Sequence, residues 1–117
     1  NCTYMKFIVI TCLLLLAHTD SHAQTQFEMN RQAAADAKNA DAAMTAQYKK
    51  TMAALDEKGK KLLLEAQRAW IKYKEAHCTS VANNYDGGSM QPMVYNGCIT
   101  DLTKARTKEL QTLLELE

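Results

Sequence analysis

Between Gln24 and Leu55 the apolar residues fall at helical intervals: Phe27, Ala34, Ala37, Met44, Tyr48, Met52 and Leu55 are separated by three, four or multiples of those steps. The stretch has no Pro or Gly, is rich in alanine, and sets Arg31, Lys38, Lys49 and Lys50 against the apolar stripe, so the pattern predicts an amphipathic helix. Alanine's helix propensity suits a narrow stripe that packs close to a partner. Asp56-Glu57-Lys58-Gly59 then interrupts the period. Asp56 can cap a following helix, and Gly59, which costs about 1 kcal/mol inside one, is expected at a boundary. A turn there makes the flanking helices antiparallel neighbours.

The second predicted helix covers about Lys60 to Cys78. Leu63, Ala66, Trp70, Tyr73 and His77 mark its expected inner face, with Leu62, Ala69 and Ala76 beside them. Thr79 to Pro92 holds two of the four glycines, the one proline and paired asparagines, and so contains a loop. Ser89 is the expected N-cap of a third helix over about Gln91 to Leu116, with Pro92 in its first turn and Gly97 as a potential kink. Its inner stripe is Cys98, Leu102, Ala105, Leu110 and Leu113. The predicted fold is all-α: a three-helix antiparallel bundle or hairpin, with Leu63, Trp70, Tyr73, Leu102 and Leu110 in its core.

The N-terminus changes this picture. Met5-Lys6 opens the run Phe7 to Ala17, followed by His18-Thr19-Asp20 and the small-residue pattern Ser21-His22-Ala23. A basic start, a short apolar stretch and small residues before the junction predict a secretory signal peptide cut after Ala23. The apolar run is well short of the roughly 18 residues a membrane-spanning helix needs. Residues 1–23 are therefore read as upstream sequence plus signal, residues 24–117 as a single domain, and the location as periplasmic or secreted. Of four cysteines, only Cys78 and Cys98 lie beyond the signal, and two cysteines in an exported chain are expected to pair. Closing that loop is worth roughly 3 kcal/mol by loop entropy. A zinc site would need two more ligands, with only His77 near in sequence, and no C-x-x-C redox motif is present.

Charge narrows the function classes. Fourteen basic against 13 acidic residues, interspersed after residue 24, give a net charge of +1 and suggest neither nucleic acid nor a membrane surface as partner. The chain has no nucleophile elbow, no phosphate-binding glycine loop and no H-E-x-x-H spacing. His77 stands without an evident nucleophile or orienting partner. Glu65, Glu75 and Asp86 read as solvated charge, because carboxylate chemistry on sugars needs a cleft that a thin helical domain lacks. These residues predict a non-catalytic protein without metal or cofactor. The chemically varied stretch is Tyr85-Asp86-Gly87-Gly88-Ser89, where a tyrosine anchor and glycine-exposed backbone sit above the expected bridge. As a recognition loop it would bind a protein partner with little loss of entropy; as a plain connection it would do nothing.

The run Glu65-Ala66-Gln67-Arg68-Ala69-Trp70-Ile71-Lys72-Tyr73-Lys74-Glu75-Ala76-His77-Cys78, then Gly87-Gly88-Ser89, then Cys98 and Leu102-Thr103-Lys104-Ala105-Arg106-Thr107-Lys108-Glu109-Leu110, resembles the small exported bacterial family of lysozyme inhibitor LprI, N-terminal domain. The likeness covers about Gln26 to Leu114. It implies an exported helical domain and, through the family's name-giving member, a lysozyme as partner. Thr25 to Asn30 also resembles the family's opening, where many members place another cysteine after the asparagine; this chain has Arg31-Gln32. The resemblance thus implies a single bridge and a less firmly held first helix. It transfers no inhibitory residues. The rival expectation is an envelope or structural module that binds a protein through a helical face. The sequence leaves the oligomeric state open.

Overall fold

The computed structural model describes the backbone of residues 2–117 and the side chains from Thr25 onward. The expected signal peptide and Cys12 fall outside the described side chains. Three α-helices follow one another: α1 (Cys2–Ala54), α2 (Glu57–Ala82) and α3 (Gln91–Glu115), with a short 3-10 turn over Asn83–Tyr85. No strand occurs among the described residues.

The α1–α2 break is made by the residues expected to make it. Asp56 has extended backbone and its Oδ1 accepts a 2.7 Å hydrogen bond from the Gly59 amide, an N-cap worth about 1 kcal/mol. Gly59 therefore lies in the first turn of α2. A Cβ there would come within 3.2 Å of both Asp56 Oδ1 and Leu55 Cβ, so a larger residue would make these side chains give by a few tenths of an ångström. At its other end α2 continues four residues past Cys78, because Thr79-Ser80-Val81-Ala82 contains no helix breaker. Ser89 does not cap α3. The cap position is Met90, which offers no side-chain bond, while the Ser89 carbonyl accepts from Asn30 Nδ2 at 2.9 Å. Pro92 sits in the first turn as expected, and α3 runs through Gly97 without a break.

Successive helices are antiparallel, so α1 and α3 run in the same direction, and these two make the closest pair. Near one end Asn30 meets Ser89; near the other the Thr51 hydroxyl donates 2.9 Å to the Leu110 carbonyl. Ala37 and Ala40, both buried, allow this approach of backbones. The first helix is thus tied to the third by Asn30 and Thr51 without a second bridge.

The core has two apolar layers. One is Ala37, Cys78 and Ile99 with Tyr95, Cys98 and Leu102 against it; the other is Met44, Leu63 and Leu110 with Tyr48, Met52, Leu55, Trp70 and Leu113. Between them lies a polar middle. Gln67, 6 % exposed, donates to Met44 Sδ at 3.1 Å and accepts from Arg106 Nε at 3.0 Å, while Arg106 also meets Glu109 at 2.8 Å. Lys74, buried as well, places its ammonium 4.8 Å from the Trp70 ring centroid. Thr103 is fully buried and its hydroxyl has no partner among the described residues.

Several expected core positions are corrected. Tyr73 is 54 % exposed and Phe27 60 % exposed, and Ala34 and Ala66 also face solvent. The reason for Tyr73 is geometric. Cys78 must face Cys98, and a residue five positions earlier lies well round the helix from it. The inner face of α2 is instead Leu63, Gln67, Trp70, Lys74 and Cys78, of which Trp70 is half-buried. Leu63 and Leu110 are buried and Leu102 is half-buried.

Candidate functional site

The connection between α2 and α3 is a built turn. After the 3-10 segment, Asp86 takes φ −57° and ψ 132° and Gly87 takes φ 74°, while the Gly88 amide donates 2.9 Å to the Tyr85 carbonyl. These are the dihedrals and closing bond of a type II turn, whose third position favours glycine because only that residue takes positive φ without strain. Gly88 is constrained differently: an added Cβ would lie 3.1 Å from the Tyr85 carbonyl oxygen. The Gly88 carbonyl then accepts from the Gln91 amide at 3.3 Å, and Gln91 Nε2 reaches Asp86 Oδ1 at 3.5 Å.

Two ties hold this turn on the bundle. The Cys78–Cys98 disulfide joins α2 to α3, with its Cα atoms 5.5 Å apart and Cys78 fully buried. The Asn30 to Ser89 bond joins the turn to α1. All five residues Tyr85 to Ser89 are exposed, the Tyr85 side by 44 %. Among the described residues no acceptor meets the amides of Gly87 and Ser89 or the Ser89 hydroxyl. The turn therefore presents three free donors beside an exposed aromatic ring.

The structure adds a flank that the sequence pattern had placed elsewhere. Phe27, Met29 and Asn30 of α1 border Gly88, Ser89 and Pro92 around an open groove of about 660 Å³. Phe27 carries a helical period, which made it look like core, and only the docking of α1 beside the turn reveals it as surface. A second, smaller groove of about 300 Å³ lies between α1 and α2, with Met44, Leu64, Gln67, Ile71 and Lys74 on its walls.

The other groups singled out in the sequence do not converge. His77 stacks on Tyr73 with ring centroids 5.4 Å apart, on the outer side of α2. Glu65 and Glu75 lie exposed on α2, away from Asp86 in the turn. Among the described residues no group of three His, Cys, Asp or Glu side chains is placed to hold a metal ion, and no helix is long and apolar enough to cross a membrane.

Fold and turn together define a disulfide-braced three-helix module with one structured, donor-rich surface loop. The chain belongs to the lysozyme inhibitor LprI family, whose sequence profile matches residues 17–110. It is also 36 % identical to an uncharacterized protein of Rhizobium meliloti (strain 1021), a match covering 80 % of this chain and 76 % of that one. No solved structure matches the chain.

Proposed function

We propose that the protein is an exported, non-catalytic inhibitor of a lysozyme, acting through the turn Tyr85-Asp86-Gly87-Gly88-Ser89. The observation that carries this reading is the turn's geometry: a positive-φ glycine, two unpaired amides and a free hydroxyl, all fixed by a bridge and by Asn30. Glycoside hydrolases work with a pair of carboxylates in a saccharide-binding cleft. Donors on a rigid protruding turn suit such a cleft, since charge-assisted hydrogen bonds to carboxylates are among the stronger polar contacts. Tyr85 adds an aromatic face of the kind that anchors binding surfaces. Preorganisation matters because a turn already in its bound shape loses little entropy on docking. Export by the N-terminal signal would bring the protein to the compartment where lysozymes attack.

The test is lysozyme activity on bacterial cell walls with increasing inhibitor. The wild-type chain lowers the rate at stoichiometric excess, Tyr85→Ala weakens inhibition about tenfold or more, and Gly87→Ala weakens it by straining the turn. Unchanged lysis at large molar excess of the wild type rejects the reading. The rival, an envelope module that binds a protein through a helical face, would rest on the exposed apolar side of α2. Partner capture that survives replacement of residues 85–89 by a neutral turn favours that rival.

A further inference from the structure

We propose that the outward apolar face of α2 is a homodimer contact, in which α2 packs antiparallel against α2 of a second copy about a twofold axis near Ala69. Leu62, Ala66, Ala69, Tyr73 and Ala76 follow steps of four, three, four and three residues, which form one continuous helical stripe. All five are exposed, Leu62 by 57 % and Tyr73 by 54 %. A stripe with core periodicity that the chain leaves uncovered is an interface pattern. Alanines at its centre let two helix backbones come close, while the large apolar groups stand at either side. The Tyr73 ring is already ordered by its stacking on His77.

Charge selects both the occupant and its direction. Glu65 and Lys72 flank the stripe on one side, both exposed, and neither belongs to an ion pair within the described chain. An antiparallel pairing about Ala69 sets Glu65 opposite Lys72 of the second copy and Lys72 opposite its Glu65, because the two residues lie nearly equidistant from the axis. A parallel twofold pairing would instead carry the second copy's Glu65 and Lys72 to the opposite edge of the contact, where these charges make no cross pairs. The stripe is thus complementary to itself in one orientation, as a twofold contact requires. Leu62 then meets Tyr73 and Ala76 of the other copy.

Sedimentation equilibrium of the purified chain tests this. The wild type forms a reversible dimer; Ala69→Glu, at the axis, abolishes it. Glu65→Lys and Lys72→Glu each weaken association about tenfold, since each changes two symmetric pairs from opposite to like charge. The double reversal, Glu65→Lys with Lys72→Glu, restores it. These positions are exposed, so the far-UV circular dichroism of each variant, and its urea midpoint in solution too dilute for association, stay close to wild type. Tyr85→Ala leaves the dimer intact, which separates this inference from the lysozyme reading. A monomer at every concentration to about 1 mM, a dimer indifferent to Ala69→Glu, or a double reversal as weak as the singles overturns the proposal; so does capture of a different protein on this face by a strictly monomeric chain.

Discussion

Helix α2 has two apolar-looking stripes, and the less hydrophobic one faces the core. The inner stripe, Leu63, Gln67, Trp70, Lys74 and Cys78, includes an amide and an ammonium group; the outer one, Leu62, Ala66, Ala69, Tyr73 and Ala76, carries no charge at all. Hydrophobic burial alone does not choose between them, since Leu63 and Trp70 on one side are set against Leu62, Tyr73 and three small alanines on the other. What fixes its rotation is a set of specific contacts: the Cys78–Cys98 bridge, Leu63 against Met44 and Leu110, and partners for the two buried polar groups. A buried polar group costs little once it is hydrogen-bonded and much when it is not. Gln67 and Lys74 can face inward because Arg106, Met44 and Trp70 receive them.

The sharpest break of this contrast comes from its strongest inner contacts. Leu63→Ala, in the buried layer with Met44 and Leu110, costs about 2 to 5 kcal/mol, read as a lowered urea midpoint. Removing the bridge with Cys78→Ser and Cys98→Ser costs about 3 kcal/mol by loop entropy. Hydrogen exchange should rise first at residues 83–90, which the bridge clamps. An unchanged midpoint in the serine pair would mean that packing, not the bridge, sets the rotation of α2.

The polar middle comes next. Gln67→Leu removes the acceptor of Arg106 Nε, whose side chain is only 14 % exposed, and destabilises the fold by about 1 to 3 kcal/mol through the stranded guanidinium. The coupling is checked by a double-mutant cycle with Arg106→Met, in which the pair of changes costs less than the sum of the two singles.

Two threonines then separate a used hydroxyl from an idle one. Both are fully buried, yet Thr51 donates to the Leu110 carbonyl and Thr103 has no partner. Thr51→Val loses about 1 kcal/mol, whereas Thr103→Val gains about 1 kcal/mol by removing an unsatisfied group at constant shape. Thermal melts of the two variants should move in opposite directions.

How far the residues foretold the structure follows from the same contrast. The helix period of α1, the Asp56 cap, the glycine-rich connection and the pairing of Cys78 with Cys98 are local or counting arguments, and the structure has each of them. The rotation of α2 was not legible from hydrophobicity, because alanine is nearly neutral and Tyr73 and Trp70 compete as anchors. Cys78 was the residue that could have decided it, since a paired cysteine specifies which side of its helix faces the partner. Burial of Gln67 depends on Arg106, 39 positions away, and nothing short-range announces that. The loop was visible in Gly87-Gly88, but its flank of Phe27, Met29 and Asn30 arises from tertiary docking alone.

The smallest expected effect is also the most discriminating, because it concerns the immediate neighbour of Leu63. Leu62 is 57 % exposed where Leu63 is 5 % exposed. One helical step of 100° separates a core side chain from a surface one. Leu62→Ala should change monomer stability by no more than about 0.5 kcal/mol, measured by urea unfolding at a concentration too low for association. The same substitution shortens the proposed contact with the second copy, so its cost should appear only as concentration rises. If Leu62→Ala lowered the midpoint as much as Leu63→Ala in dilute solution, the outer stripe would be core after all, and both the rotation of α2 and the dimer built on it would fall together.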